Sequence, residues 1–341
     1  METGKNTYSE IVSQTAAWAQ ALDLVRENRE ALLSLTAGPF DQVLFTGCGS
    51  TYYLSLAAAA LFQQLTGRAA RAVPGGELLY NPQTALTGGR SLLVAVSRSG
   101  ATSETVRATE RFRSEGRGPV LVISNYGDQP LAGLGDLSIV IDRGQEQSVA
   151  QTRSFASMYV AATAICALAA GRQDLLEAMS ALPAAGEQLI ARYEPDARRL
   201  GENLELDRFY FLGSGARYGL ACEVNLKMKE MTLTHSEPFH FLEFRHGPMS
   251  MVGPSAAVVG LLSSSNRDAE GKVLAEMQKL GGTVFSLAEA GAAVNIGNRI
   301  PEAVQGVLYL PVLQLMACYR SMAKGLNPDR PTNLSAVVFL E

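Results

Sequence analysis

A hydroxyl-rich stretch, Ser97–Thr105, has the composition most suited to chemistry in this sequence. It follows a short apolar run, 92–96, that is typical of a buried strand, and it leads into a charged segment, 104–115, that predicts a helix. The free N–H groups and partial positive charge of a helix N-terminus favour an anion such as phosphate. The residues that could line such a site are Ser97, Ser99, Gly100 and Thr102. A simple helix cap is the alternative, but the four hydroxyl side chains within residues 97–103 favour an anion site.

A second group of candidate residues surrounds Glu230. Glu223, Lys227 and Glu230 are spaced to share one helix face, either as a solvated row of ion pairs or as part of a site. The next sixteen residues contain all three histidines of the chain and two further carboxylates: His235, Glu237, His240, Glu243 and His246. This spacing does not match a compact zinc motif, so we expect no metal. Gly-Pro follows His246 and predicts a loop there.

A carboxylate and a histidine, combined with a phosphate-binding loop, point to a definite class of reaction. Moving a proton between C1 and C2 of an open-chain sugar phosphate needs a carboxylate near the two carbons. It also needs a group that titrates near neutrality to open the sugar ring. The phosphate supplies binding energy remote from the reacting carbons, which can position them. This chemistry uses no redox cofactor, so we expect no cofactor.

These residues need a scaffold, and the alternation of strands and helices predicts two α/β domains. Each is expected to be a three-layer αβα sandwich around a parallel sheet, of the flavodoxin-like type. The predicted strands are 42–46, 70–73, 92–96, 120–124 and 137–141 in the first half, and 208–212, 257–262 and 283–287 in the second. Mixed composition at 194–207 predicts a linker, so the expected domains are 1–195 and 196–341.

The two halves share a glycine motif that indicates an internal duplication. Val43–Tyr52 aligns with Phe209–Tyr218, and in each a predicted strand leads into Gly-x-Gly-x-x-Tyr. A dinucleotide-binding fold needs a small residue where Tyr52 and Tyr218 stand, and an acidic residue after its second strand. Neither requirement is met, and no Gly-Lys-Ser/Thr follows, so the motif predicts neither an NAD site nor a nucleotide-phosphate loop.

Composition limits the partners. The 341 residues carry a net charge of −4 and only 18% charged residues, so no basic field is available for nucleic acid or an anionic membrane. The apolar stretch 155–170 is short for a membrane span and predicts a buried helix. The cysteines are widely spaced: Cys48, Cys166, Cys222 and Cys318. With no secretory signal at the first residues, we expect buried thiols in a cytoplasmic protein.

Over nearly its whole length the chain resembles proteins with two SIS (sugar isomerase) domains. The similarity is greatest to the isomerase half of glucosamine-6-phosphate synthase and to stand-alone relatives of that half. The motifs that carry the resemblance are Gly-Cys-Gly-Ser-Thr at 47–51, Ser-x-Ser-Gly-x-Thr at 97–102, Val-Ala-x-Thr-x-x-Phe at 149–155, Glu-x-x-Leu-Lys-x-Lys-Glu at 223–230, His-Gly-Pro at 246–248 and Asp-Arg-Pro-Thr-Asn-Leu-Ser at 329–335.

The resemblance implies roles for individual residues. The implied ligands of the substrate are Ser50, Thr51, Ser97, Arg98, Ser99 and Thr102 for the phosphate, and Val149 and Gln151 for the sugar. Glu230 is the implied acid/base of an enediol intermediate, with Lys227 beside it. His246 is the implied ring-opening group and reaches the active site of the neighbouring subunit in the family. A homodimer with shared active sites is therefore expected.

Three departures from the family pattern modify this expectation. Only a short helical lead-in precedes the first predicted strand, so we expect no glutaminase domain like that of the synthase. Gln151 replaces a serine, and Ala336 stands where the synthase has a lysine. Synthase activity is therefore not expected. The remaining hypotheses are an aldose–ketose isomerase, an amino sugar 6-phosphate deaminase and a deglycase of fructosamine 6-phosphates. A non-catalytic sugar-phosphate sensor is the alternative from another class. The presence of both Glu230 and His246 favours an enzyme.

Overall fold

The computed structural model describes residues 3–297 and 299–340, and these form two parallel β-sheets flanked by helices. The strands are β1 (Gln42–Gly47), β2 (Ala70–Pro74), β3 (Ser91–Ser97), β4 (Val120–Ser124), β5 (Leu137–Val140), β6 (Arg208–Leu212), β7 (His235–Phe239), β8 (Ala256–Leu261), β9 (Thr283–Ala288) and β10 (Val294–Asn295). The helices are α1 (Lys5–Val12), α2 (Thr15–Glu27), α3 (Arg29–Thr36), α4 (Ser50–Thr66), α5 (Gly75–Tyr80), α6 (Ser103–Ser114), α7 (Arg153–Ala169), α8 (Gln173–Ala178), α9 (Leu182–Glu202), α10 (Ala216–Thr232), α11 (Arg267–Lys279) and α12 (Leu310–Ala323). Among them, no helix combines the length and the apolar character that crossing a membrane requires.

Both sheets have the same strand order. The first runs β2-β1-β3-β4-β5 and the second runs β7-β6-β8-β9-β10, so each follows the flavodoxin-like order 2-1-3-4-5. The central strands β1, β3 and β8 are buried along their whole length, as expected for parallel strands covered by helices on both faces. The predicted fold class, two tandem αβα sandwiches, is confirmed.

The paired glycines have the same backbone roles in both sheets. Gly49 and Gly215 adopt φ of 56° and 59° with ψ near −123° and −135°, a region that essentially only glycine occupies. A Cβ on Gly47 would lie 2.5 Å from Thr51 Oγ1, and one on Gly213 would lie 2.4 Å from the carbonyl oxygen of Arg217. Each motif therefore needs one glycine for a close approach and one for its backbone conformation. This shared geometry supports the internal duplication.

The chain divides into two compact units that are not continuous in sequence. We call the unit made of Ser13–Glu146, Gln151–Pro183 and Ser335–Glu341 the N-unit, and it contains β1 to β5. The unit made of Met1–Val12, Gln147–Ala150 and Ala184–Leu334 is the C-unit, and it contains β6 to β10. The domain limits 1–195 and 196–341 stay a prediction.

Each unit has its own hydrophobic core. In the N-unit, side chains of β1, β3 and β4 pack with Phe112 of α6. Helix α7 is buried from Ser154 to Leu168 and packs on α2 and α4, which agrees with the prediction of a buried helix at 155–170. In the C-unit, Tyr210 and Val258 pack with Phe244. Cys166, Cys222 and Cys318 are buried free thiols, but Cys48 is only partly buried.

One expectation about the chain between the two sheets is wrong, and two strands of the second sheet were not predicted. The segment 194–207 is not a linker throughout, because α9 continues through Pro195 to Glu202. Buried Leu189, Tyr193 and Ala197 recur at helical spacing on both sides of the proline, and this packing outweighs the local cost of Pro195. Strands β7 and β10 were not predicted, and both lie at edges of the second sheet.

Candidate functional site

The N-unit loop between β3 and α6 is a tight turn lined with hydroxyl groups. Ser97 Oγ accepts a hydrogen bond from Gly100 N at 3.1 Å, and Ser99 Oγ accepts one from Ala101 N at 3.2 Å. Thr102 Oγ1 lies 3.5 Å from Ser99 Oγ. Gly100 has φ of 65°, and a Cβ there would lie 2.9 Å from Gln129 Cβ. The loop therefore gathers hydroxyls at the N-terminus of α6, and its role as an anion site stays a prediction.

The loop between β1 and α4 lies beside this turn. Cys48 Sγ is 3.4 Å from Thr105 Oγ1 in the first turn of α6, and burial raises the pKa of the Cys48 thiol. Ser50 and Thr51 are buried at the start of α4. Thr51 Oγ1 accepts from Cys48 N and donates to the Cys48 carbonyl oxygen, both at 2.9 Å. The structure thus brings both predicted phosphate-binding loops together, with the Thr51 hydroxyl holding its own turn.

Arg98 links this loop to the C-terminal stretch of the N-unit. Its guanidinium is 7% exposed and donates to the Ala336 carbonyl oxygen at 2.7 Å. Ser103 N, the first amide of α6, donates to the Val338 carbonyl oxygen at 3.3 Å, and Leu340 N donates to Ser103 Oγ at 3.1 Å. Arg98 was predicted as a phosphate ligand, and here it also holds the segment that contains Ala336.

Sequence reasoning missed Glu146, whose carboxylate lies close to Arg98 and accepts hydrogen bonds from the segment 152–154. Its carboxylate is fully buried and lies 3.9 Å from the Arg98 guanidinium. It accepts from Thr152 N at 2.8 Å, from Thr152 Oγ1 at 2.7 Å and from Ser154 Oγ. These bonds fix the backbone that follows Gln151, whose side-chain oxygen is buried without a hydrogen-bond partner in the described part of the chain. A glutamate followed by hydroxyl residues was the only signal in the sequence.

A second missed carboxylate positions Val149, which lies in the C-unit. Glu10 of α1 accepts from Gln147 N at 2.6 Å and from Ser148 N at 3.3 Å. Val149 N donates to the Asp329 carbonyl oxygen at 3.0 Å. The Glu10 side chain is 4% exposed, so this carboxylate is used for loop positioning and not for solubility. No local pattern around Glu10 predicts this role, since its partners lie far along the chain.

The Glu223–Lys227–Glu230 row on α10 is buried, so its interpretation as a solvated stripe is wrong. The side chains of Glu223 and Lys227 are 0% and 1% exposed, and that of Glu230 is 14% exposed. Lys227 Nζ lies 3.4 Å from Glu223 Oε1 and also contacts Glu230 Oε1. Burying three charges costs desolvation energy that the pairing only partly returns. A buried charged group of this kind is therefore a candidate functional site.

His246 stands at the end of a short, well-anchored 3₁₀ turn, Glu243–Arg245. Phe244 is buried in the core, and the Arg245 guanidinium forms a bidentate pair with Glu276 at 2.7 and 2.5 Å. The His246 side chain itself is exposed. The loop conformation predicted from the following Gly-Pro is therefore correct, and a fixed backbone presents the imidazole to solvent.

The other two histidines take different roles. His240 stacks on Tyr218 with ring centroids 3.9 Å apart, and partial burial lowers the pKa of its imidazole. His235 lies in β7 and is exposed, with Glu237 Oε2 4.0 Å from its Nε2. Within residues 3–297 and 299–340, no three His, Cys, Asp or Glu side chains are grouped so that they could hold a metal ion.

Comparison with known proteins gives one family. The model of the SIS domain matches residues 39–168 and 205–294, which are most of both sheets. The isomerizing glutamine–fructose-6-phosphate aminotransferase of Haemophilus influenzae is 28% identical over 323 residues, covering 88% of this chain and 52% of that protein. The chain spans about half the length of the curated relatives it matches.

Solved structures give the same result. The crystal structure of glucosamine-6-phosphate deaminase from Thermotoga maritima superimposes with a TM-score of 0.82 and 26% identity, covering 98% of this chain and 100% of that one. Tagatose-6-phosphate ketose/aldose isomerase from Escherichia coli has a TM-score of 0.86 and 23% identity, covering 98% and 97%. The second likeness concerns the fold alone.

Proposed function

The chain belongs to the SIS-domain family, and from this premise we propose that it is an enzyme acting on a phosphorylated sugar. The reaction is the transfer of a proton between C1 and C2, either as an aldose–ketose isomerase or as a deaminase of an amino sugar 6-phosphate. One observation carries the proposal: the buried Glu223–Lys227–Glu230 group, with one lysine between two carboxylates on α10.

The N-unit loop suits the phosphate of such a substrate. A phosphate bound there would meet the hydroxyls of Ser99 and Thr102 and the positive end of α6. These groups are neutral or only partly charged, so binding does not depend on the overall charge of −4. The predicted substrate ligands Ser50, Thr51, Ser97, Arg98, Val149 and Gln151 belong to the same proposal.

Glu230 suits the proton transfer. As a carboxylate it would remove the proton from C2 of an open-chain aldose and return it to C1, while a proton moves from O2 to O1. The Lys227 ammonium beside it would stabilise the negative charge of the enediolate. With an amino group at C2, the same shift produces an imine, and addition of water then releases ammonia.

His246 is proposed as the group that opens the sugar ring. Its exposure on an anchored turn is consistent with a role toward a neighbouring copy of the chain, which is why we also propose a homodimer. No nucleic acid, membrane or redox cofactor takes part in the proposed function, and a cytoplasmic location is proposed with it.

The test compares Glu230→Gln with Glu237→Gln. Glu237 lies in β7 with a side chain 45% exposed and serves as the matched control. Turnover is measured on sugar 6-phosphates and 2-amino sugar 6-phosphates, and binding is measured by calorimetry. We expect Glu230→Gln to lower kcat by about 10²- to 10⁴-fold and to leave the affinity nearly unchanged, because only the proton transfer is lost. Unchanged turnover would refute the role of Glu230, and binding without turnover by the native chain would indicate a sensor.

A deglycase of fructosamine 6-phosphates is a second candidate. It is favoured by Ala336 at the position where the synthase has a lysine. This reaction needs the proton shift but no amine transfer through a lysine. Release of a free amino acid from a fructosamine 6-phosphate would select it over the isomerase.

A further inference from the structure

The last described residues of the chain, 336–340, cross the start of α6, and we call them the C-terminal segment. Backbone groups of alternate residues make the contact. The Val338 carbonyl oxygen accepts from Ser103 N at 3.3 Å, and Leu340 N donates to Ser103 Oγ at 3.1 Å. The Leu340 carbonyl oxygen accepts from Arg107 Nη2 at 3.1 Å. The segment is therefore attached to the loop and helix that are proposed to hold the phosphate.

Arg98 joins the other end of the C-terminal segment to the interior of the N-unit. The Arg98 side chain is 7% exposed, and its Nη2 donates to the Ala336 carbonyl oxygen at 2.7 Å. Its Nη1 lies 3.9 Å from Glu146 Oε2, and the Glu146 side chain is fully buried. The Phe339 side chain, by contrast, is 70% exposed and gives the segment little apolar packing. Hydrogen bonds to its backbone therefore hold the segment, and the one from Arg98 comes from a buried, charged donor.

The pairing with Glu146 fixes the direction in which Arg98 points. A buried carboxylate that loses its cation is strongly destabilising, so the guanidinium is held beside Glu146. Arginine donates from several nitrogens in one rigid plane, whereas lysine has a single nitrogen on a flexible stem. With Nη1 toward Glu146, the same plane presents Nη2 to the Ala336 carbonyl oxygen. The arrangement thus uses a two-sided donor that neither lysine nor glutamine reproduces.

The position of the C-terminal segment matters for a phosphate bound in the N-unit loop. Ser103 N, which donates to the Val338 carbonyl oxygen, is the first amide of α6. The hydroxyls of Ser99 and Thr102 lie 3.5 Å apart just before this amide. A phosphate bound to these hydroxyls would lie beside the backbone of the segment, so the segment bounds the proposed site. Displacing a bound substrate by about 1 Å can lower the rate of a reaction by about 100-fold.

We propose that Arg98 is a positioning residue for the proposed reaction: paired with Glu146, it holds the C-terminal segment against the phosphate-binding loop. The inference rests on the proposed function, and this role is additional to the phosphate contact predicted for Arg98. Because the segment transmits the effect, Arg98 should matter less in a chain from which the segment has been removed.

The test is a double-mutant cycle between Arg98 and the C-terminal segment. Arg98→Gln is made in the full chain and in a chain that ends at Ser335, and kcat/KM is measured on sugar 6-phosphates and 2-amino sugar 6-phosphates. We expect a loss of about 10- to 100-fold in the full chain and a loss at least about fivefold smaller in the shortened chain, because both changes remove the same contact. Arg113→Gln, at an exposed arginine of α6, is the matched control and should change neither.

A loss of equal size in both chains would overturn the proposal, because Arg98 would then act without the segment. A purely structural role of Arg98 in the loop predicts that equal loss. If the shortened chain is inactive, the following exchange measurement decides alone.

Amide hydrogen exchange at Leu340 reports the position of the segment without any turnover. Leu340 N donates to Ser103 Oγ, so we expect its exchange to be about tenfold faster in Arg98→Gln and unchanged in Arg113→Gln. Unchanged exchange in a folded Arg98→Gln chain would contradict the proposal. If that variant does not fold, Arg98→Lys, which keeps a charge beside Glu146, replaces it in both measurements. A native chain that turns over none of the substrates would refute the proposed function, and the exchange at Leu340 would still show whether Arg98 holds the segment.

Discussion

The loops after β3 and after β8 have the same place in two copies of one fold, but their hydrogen bonds differ. Serine hydroxyls accept from amides of their own loop in both copies. They are Ser97 and Ser99 in the N-unit and Ser263, which accepts from Asn266 N at 2.9 Å, in the C-unit. In the C-unit the loop amides donate to the carboxylates of Glu270 and Glu302. The backbone supplies donors in both copies, because a helix begins there in both. In the C-unit carboxylates accept these amides, whereas in the N-unit the carbonyl oxygen of Val338 accepts the first amide of α6.

The helices that follow the two glycine motifs also differ, because only the one in the C-unit buries charged side chains. Helix α4 buries mainly small and apolar residues such as Leu54, Ala57 and Ala58. Helix α10, its counterpart, buries Glu223 and Lys227 among apolar residues such as Leu220. Duplication has therefore left one unit with a hydroxyl-lined turn and an apolar helix, and the other with a carboxylate-paired loop and a helix that also buries charges. Under the proposed function, phosphate binding and proton transfer would each use a different copy of the fold.

The difference between α4 and α10 predicts the largest effect of a substitution, a loss of folding stability. Lys227→Met leaves two buried carboxylates without their cation, so we expect the free energy of unfolding to fall by about 3–5 kcal/mol. Lys229→Met, on the exposed side of the same helix, should change it by less than about 0.5 kcal/mol. Urea denaturation monitored by circular dichroism measures both. Equal losses in the two variants would mean that the buried group is not a distinct charge cluster.

The difference between the two loops predicts an intermediate effect on substrate affinity. Ser99→Ala combined with Thr102→Val removes hydroxyls from the N-unit loop, and we expect KM for the sugar phosphate to rise by about 10- to 100-fold. Ser265→Ala, in the C-unit loop, is the control and should leave KM unchanged. Steady-state kinetics at saturating and limiting substrate separates KM from kcat. A matching rise in the control would remove the proposed distinction between the loops.

The backbone conformation that Gly49 and Gly215 share predicts the smallest effect, a loss of stability that should be equal in both units. Gly49→Ala and Gly215→Ala force a side chain into nearly the same strained conformation, so each should lower the free energy of unfolding by about 1–3 kcal/mol. Gly76→Ala is the control, because a Cβ there meets no atom within 4 Å and alanine favours the helix. It should raise the stability by about 0.4–1 kcal/mol. Clearly different stability losses in Gly49→Ala and Gly215→Ala would argue against a backbone geometry shared by the two motifs.

Much of the fold could be predicted because burial leaves a pattern in the sequence. In the first sheet β3 and β4 contain apolar runs and are buried at every residue. Strand β7 was missed because an edge strand can contain polar residues and a proline, here His235, Glu237 and Pro238. Strand β10 is two residues long and gives no periodicity.

The candidate site was predicted less completely. Short motifs with local causes, such as the hydroxyl turn at 97–102, could be predicted from spacing alone. The burial of Glu223 could not, since i, i+4 spacing is the same on a solvated face and on a buried one. Glu146 and Glu10 stabilise loops through partners that only the tertiary structure brings near. The catalytic and binding roles of the candidate residues stay predictions.

The hydrogen bonds between Asp329 and Thr7 have a consequence for how the C-unit assembles. The Asp329 carboxylate accepts from Thr7 N and Thr7 Oγ1, both at 2.8 Å, across 322 residues of chain. During synthesis α1 therefore emerges long before the residue that fixes its first turn, and strands β1 to β10 are all made in between. Contacts of such long sequence separation form late and slowly. Asp329 follows α12, so we expect the loop that α1 holds at Gln147 and Ser148 to reach its final conformation only after nearly the whole chain has been made.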